Sequence, residues 1–242
     1  MKPQIPWLRV FVEGVVIVGS ILLAFGLQAW WEGRQEREES LRDLISVAQE
    51  LAVNRESVLW QLDEMERKLL GSAEVLRILE ADRDAAITPL ADTLAFWAMS
   101  TVPTLDPSSG ALNTLIASGR LSLVDDGDVR GRLAGLGDLM ADAIENQVYM
   151  NDQIATRMDP ATYDQFDNAP VIAVQATFVN VEDRSGGPER ALVHRVQVQF
   201  PNNLAVRNLV RYLTFAMTTA VAEMRMVLLE LEELIALVDG LN

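Results

Sequence analysis

From Val10 to Trp31 the chain reads VFVEGVVIVGSILLAFGLQAWW, an apolar run interrupted by one ionisable side chain, Glu13. At about 1.5 Å of rise per residue, a helix of this length matches a hydrocarbon layer roughly 30 Å thick. Trp7 at one edge, and Trp30 with Trp31 at the other, put amphipathic rings where the two membrane interfaces would lie, with Arg9 and Arg34 just outside. The run is therefore expected to be a transmembrane helix over residues 10–31, preceded by a short tail, 1–9. A cleaved secretory signal is the competing reading, because Lys2 and Arg9 form a basic start and Ala24-Phe25-Gly26 resembles a cleavage site. The length of the run, and Glu13 within it, favour a retained anchor.

Basic residues on the two sides nearly balance: Lys2 and Arg9 before the run, Arg34, Arg37 and Arg42 after it. The short N-terminal tail, typical of a signal anchor, decides the expectation: N-terminus cytoplasmic and the bulk of the chain extracytoplasmic, on a bacterial inner membrane. Glu13 lies within the first turns of the span, where a carboxylate reaches the headgroups, is protonated or meets a partner. Gly19 with Gly26, and Ser20 with Ala24, offer small-residue surfaces on which another membrane helix can approach closely. These five positions, with Trp7, Trp30 and Trp31 as interface anchors, are the candidate site residues.

Residues 32–242 are strongly anionic, because the whole chain carries 35 acidic against 20 basic side chains and almost none of the acid lies in the membrane run. Half of all residues are hydrophobic, which excludes an acidic disordered tail, and the charge argues against nucleic-acid binding. After Trp31 the helical pattern continues. Leu41, Leu44, Ala48, Leu51, Val58, Leu62, Met65, Leu69, Leu76 and Leu79 recur at intervals of three and four, with Arg55 and Ser72 as breaks. The last segment repeats the pattern at Val206, Val210, Leu213, Met217, Ala220, Met224, Val227, Leu231, Leu234, Val238 and Leu241, after an Asn203 cap and before Gly240. Two long helices, the second over about 203–241, are expected to pack antiparallel.

Between them, Thr88-Pro89 is read as opening a helix through Met99, and Asp106-Pro107 another that ends at Ser118-Gly119. Asp125 to Asp128 caps a helix to about Met158 whose inward face is Val129, Leu133, Leu136, Met140, Ala143 and Val148. Val171–Val181 is rich in β-branched residues, Ser185-Gly186-Gly187-Pro188 is a turn signal, and Val196, Val198 and Phe200 alternate with polar residues, so a β-hairpin is expected over about 171–200. The fold class is mainly α: one N-terminal transmembrane helix continuing into a long-helix bundle, with a small hairpin before the last helix.

Two segments, GVVIVGSILLAFGLQAWWEGRQERE (Gly14 to Glu38) and LDPSSGALNTLIASGRLSLVDDGDVRGRL (Leu105 to Leu133), resemble a family of uncharacterised bacterial single-pass membrane proteins. The first is similar to that family's membrane helix running into a charged helix. The second is similar to its helix, Ser-Gly, short connector, acidic cap and following helix. The resemblance implies membrane anchoring and brings no activity or catalytic residue.

Cysteine is absent and His194 is the single histidine, so disulfides, thiolate metal sites and cysteine nucleophiles do not arise. A di-metal carboxylate bundle needs two Glu-x-x-His motifs, which one histidine cannot supply. Neither a Gly-x-Ser-x-Gly element nor a phosphate-binding glycine loop occurs, and Lys68, the one lysine besides Lys2, falls inside a helix. Asp125, Asp126 and Asp128 lack the terminal glutamate of a twelve-residue calcium loop, which favours helix capping. The expectation is a protein without catalytic, cofactor or metal site and without a small-molecule substrate: a scaffold subunit whose partners are the lipid bilayer and other integral membrane subunits. Bacterial photosynthetic reaction-centre and antenna complexes, which recruit single-span proteins, are one such setting, and a membrane helix without histidine would add no pigment ligand there. A single-pass sensor acting through a membrane partner is the alternative, and an extracytoplasmic hydrolase relying on His194 or the Asp125–Asp128 cluster is a third.

Overall fold

The computed structural model describes residues 7–158, 167, 169–179 and 196–240. α1 (Trp7–Ala81) is one unbroken helix of 75 residues, about 110 Å long at 1.5 Å per residue. It is followed by β1 (Ile87–Ala91), α2 (Asp92–Met99), an extended strap over residues 100–109, α3 (Gly110–Ala117) and a 3₁₀ turn (Arg120–Leu123). Then come α4 (Gly127–Gln153), running into a π turn (Ile154–Met158), α5 (Ala169–Val179), β2 (Gln197–Pro201) and α6 (Leu204–Asp239). The chain is mainly helical, with a small antiparallel pair of strands whose second member immediately precedes the last helix, as expected.

The long helices obey a strict alternation of three and four. On α6 the expected inward residues from Val206 to Val238 are all buried, and Asn203 caps the helix by accepting a hydrogen bond from the Val206 N–H (2.9 Å). Leu241 lies outside the described residues. α6 runs antiparallel to α1: Arg55 meets Glu232 (2.9 Å), Glu66 meets Arg225 (2.7 Å) and Glu80 meets Arg211, so partners descend along one helix as they rise along the other.

The buried line of α1 differs from its apolar pattern. It runs Leu44, Val47, Leu51, Asn54, Val58, Gln61, Met65, Lys68, Ser72, Val75, Leu79, seven residues apart within each of two interleaved rows. Leu41 is exposed, while Ala48, Leu69 and Leu76 flank the line half-buried. An apolar-only reading passes over Asn54, Gln61 and Lys68, which are inside because they face the backbone of the strap. On α4, likewise, Gln147 is buried where Val148 was expected to be, and Val148 is exposed.

Three further expectations are corrected. The strand partner of β2 is β1, in a register from Ile87↔Pro201 to Ala91↔Gln197, and residues Val171–Val179 are helical. Asp167 accepts a hydrogen bond from the Ala169 N–H (3.0 Å), and Val171 and Val174 turn inward three residues apart in a cluster with Phe96 and Met99, so packing on α2 overrides the β-branched propensity. The turn signal and His194 lie outside the described residues. Thr88-Pro89 sits in β1, because each strand of a two-stranded sheet is an edge that tolerates proline, and α2 begins at Asp92. The helix expected from Asp106-Pro107 starts at Gly110, because both backbone groups of Ser108 are already bound by Asn54. It ends as expected at Ser118-Gly119, with Gly119 left-handed at φ 74°.

Asn202, buried at the start of α6, ties these parts together. Its amide donates to the Leu79 and Asp82 carbonyls at the end of α1 (3.2 and 2.7 Å) and to Thr88 Oγ1 (2.8 Å), and its oxygen accepts from Arg207 (2.8 Å). At Gly71, α2 comes so close that a Cβ would lie 2.6 Å from Trp97 Cβ, whereas Gly135 on α4 faces open space. Gly71→Ala is therefore expected to lower stability by about 1–3 kcal/mol through overpacking, and Gly135→Ala to raise it by about 1 kcal/mol through helix propensity. Urea unfolding of the two variants in detergent checks the opposite signs.

Candidate functional site

α1 is long and apolar enough to cross a membrane: its most apolar 18 residues have a mean hydropathy of 2.0, and none of them is buried within the protein. The candidate membrane residues all fall on this helix. At about 100° per residue they divide into two faces. Gly19 and Gly26, seven residues apart, lie within about 20° of one another. Glu13, Ser20 and Ala24 lie roughly 120° away. Ser20 Oγ donates back to the Val16 carbonyl (2.7 Å) and so closes its own polar group inside the helix. A Cβ at Gly19, Gly26 or Gly33 would meet nothing. Trp30 and Trp31 are exposed at the far end. For Trp7 the structure describes the backbone alone, at the first position of α1.

Above Trp31 the helix is bare through Glu38, a stalk of about 10 Å at 1.5 Å per residue. Arg34 and Glu38 pair along it (3.1 Å). The folded body first touches α1 through Arg120, whose guanidinium binds Asp43 (2.7 Å) and Glu39 (3.6 Å) while its carbonyl accepts from Ser40 Oγ (3.4 Å). A crevice of about 180 Å³ opens here between Arg37, Leu41, Leu44, Leu123 and Asp125. A larger depression, about 390 Å³, lies at the distal end against Arg157, Asn208, Leu209 and Tyr212, where Tyr212 and Tyr149 share a hydrogen bond (3.0 Å).

Among the described residues, one group of buried polar side chains, Asn54, Gln61, Lys68 and Gln147, meets the strap. Residues 100–109 have no helix or ladder to satisfy their backbone, and a buried unpaired N–H or C=O is costly. Two asparagines from opposite helices each bind both backbone groups of one strap residue. Asn54 of α1 accepts from the Ser108 N–H (2.8 Å) and donates to its carbonyl (2.7 Å). Asn151 of α4 accepts from the Val102 N–H (2.8 Å) and donates to its carbonyl (3.0 Å). Gln147 accepts from the Leu105 N–H (2.7 Å), Gln61 donates to the Thr104 carbonyl (3.4 Å), and Glu50 accepts from Ala111 and Leu112 (2.7 and 3.1 Å) at the start of α3. Between these fixings Val102 and Leu105 enter the core.

Lys68 completes the set. Its ammonium, fully buried, donates to the Trp97 carbonyl (2.7 Å) and to the carbonyl and hydroxyl of Ser100, closing the C-terminal end of α2. Burial pushes its pKa down from 10.5 to about 7. One turn earlier, Glu64 is raised by burial, an effect opposed by Arg67 (2.8 Å). These positions hold structure, and the heptad spacing of Asn54, Gln61 and Lys68 is the signal that could have revealed them.

Of the Asp125–Asp128 cluster, Asp126 is the cap of α4, accepting from Asp128 (2.8 Å) and Val129 (3.2 Å), and Asp128 faces Arg132 (3.9 Å). Among the described residues, no group of three or more acidic or histidine side chains is placed to hold a metal ion. Comparison with protein-family models, with curated proteins and with solved structures finds no match to this chain.

Asn54→Ala removes two hydrogen bonds between a buried side chain and the Ser108 backbone and is expected to cost about 1–3 kcal/mol in denaturant unfolding. For Lys68 the folded pKa, about 7, lies below the unfolded value of 10.5. Between those values the unfolded chain binds the extra proton, so stability rises as pH increases through that window. Lys68→Met removes this rise, which unfolding midpoints at pH 7 and pH 10 measure.

Proposed function

We propose that this protein is a non-catalytic, membrane-anchored scaffold subunit, held in a bacterial inner membrane by residues 10–31 with its N-terminus cytoplasmic and its acidic helical body outside. The observation that carries the reading is the continuity of α1: a fully exposed apolar stretch of membrane length passes without a break into the buried seam of the folded body. An apolar surface of that size is stable in lipid and unstable in water. Because one helix serves as both anchor and core element, the body stands on a stiff rod at a set height above the bilayer, a suitable way to bridge the membrane-embedded and extramembrane parts of a larger assembly. The line of Gly19 and Gly26 and the face of Glu13, Ser20 and Ala24 supply two surfaces for neighbouring membrane helices. A photosynthetic reaction-centre and antenna assembly is one complex of this kind, to which the helix would contribute contacts and no pigment ligand.

The same continuity favours the second reading, a sensor that passes a signal along α1 to a membrane partner. Removing residues 32–242 separates the two: a scaffold's assembly is lost, whereas a sensor's partner assembles normally with altered regulation. For the leading proposal, the full chain is expected to resist alkaline carbonate extraction and, in mild detergent, to copurify with an integral membrane protein in fixed ratio. A mature chain that starts near residue 30 in the soluble fraction would overturn the anchoring, and a chain isolated with no other polypeptide would overturn the scaffold.

A further inference from the structure

α6 carries a second seam on its outer side. Tyr212, Phe215, Thr219, Ala222, Met226 and Leu229 alternate three and four, as the inner seam does, and all six are uncharged. Phe215 is 70% exposed, Leu229 57% and Met226 55%. Asn208 bounds the seam at one end. Glu233, drawn aside by Arg132 (2.6 Å), bounds it at the other. An amphipathic helix ordinarily turns charged residues outward, so α6 is built to be covered on both sides.

We propose that the outer seam of α6 packs on the same seam of a second copy of this chain, in parallel and in register, around a two-fold axis along the membrane normal. The inference rests on the anchored reading above, because two copies tethered in one bilayer point the same way and their α6 helices are parallel.

The charges flanking the seam select the same arrangement independently. Arg211, Thr218 and Arg225 line one edge; Ala216, Glu223 and Glu230 line the other. In a parallel pair, a residue on the first edge faces the partner residue five positions further on at the second edge. Arg225 thus faces Glu230 of the partner subunit, twice by symmetry, and the remaining facings, Arg211 with alanine and Thr218 with glutamate, are free of like charge. An antiparallel pair would set glutamate edge against glutamate edge and arginine edge against arginine edge. Arg225 rests on Glu66 within its own chain and Glu230 on Arg132, yet the Arg225 side chain remains 63% exposed and able to reach across. Six seam positions per copy give a contact near the lower bound of roughly 1,000 Å² for a specific interface. Confinement of both copies to one bilayer raises their effective concentration and compensates for the modest size.

The chain has no cysteine, so single introduced thiols report cleanly. Ala222→Cys in the full-length protein, oxidised in membranes, is expected to yield a disulfide-linked homodimer at least about tenfold above Asp138→Cys on the outer face of α4, since only the former pair comes within disulfide reach. Adding Leu229→Glu to Ala222→Cys should abolish the cross-link while leaving the circular dichroism unchanged. A membrane-bound chain that gives no 222–222 link, or that links to a different polypeptide, overturns the dimer and leaves the anchor standing. A chain found in the soluble fraction overturns the anchor instead. There, a 222–222 link upholds the parallel seam on its charge pattern alone, and its absence overturns that too.

Discussion

Pairing α1 with α6 creates the frame on which the rest of the structure hangs, and it does so with a seam that is polar along one of its two rows. Asn54, Gln61 and Lys68 would weaken a simple two-helix contact, because each takes hydrogen-bonding groups out of water. The strap removes much of that penalty. Its backbone has its own unmet donors and acceptors, and together with the end of α2 it meets most of the need: Ser108 binds Asn54 through both backbone groups, Thr104 accepts from Gln61, and Trp97 and Ser100 accept from Lys68, while Gln61 Oε1 has no partner among the described residues. From the opposite side α4 contributes Asn151 and Gln147 to the same segment. A ten-residue stretch without secondary structure thus becomes a core element, and α1 and α4 acquire a common register because both are fixed to it.

That frame bears on function through α1. The continuous α1 carries the seam that meets the strap at Asn54, Gln61 and Lys68 and, toward its N-terminus, the exposed apolar run long enough to cross a membrane. Beyond the stalk the folded body begins at the Arg120 pairs with Asp43 and Glu39, joined to the apolar run by about two turns of helix and not by a flexible linker. One helix thus carries both the apolar run and the core seam, and α6 takes its direction from it.

Much of this architecture was legible in the linear chain. The apolar run of α1, the inner seam of α6, an asparagine cap after Pro201, an acidic cap within Asp125–Asp128 and the Ser118-Gly119 stop all depend on local spacing or on hydrogen bonds between residues two or three positions apart. The errors share a cause in the opposite kind of interaction. Val171 and Val174 look like strand residues until α2 offers them a surface at helical spacing. Thr88-Pro89 looks like a helix start until Asn202, more than a hundred positions away, takes the threonine hydroxyl. Leu41 looks like core and is exposed because the body ends at about that height on α1.

By itself, then, the amino-acid order determined where the two long helices run, that residues 10–31 are apolar enough for lipid, and that the two long helices must share a stripe, because periodicity and capping are properties of neighbouring residues. Only the tertiary structure decided that buried Asn54, Gln61 and Lys68 belong inside, that β1 is the partner of β2, and that α6 keeps a second uncharged face turned outward. Those outcomes depend on which distant backbone groups need partners and on which surfaces remain uncovered once the helices have met.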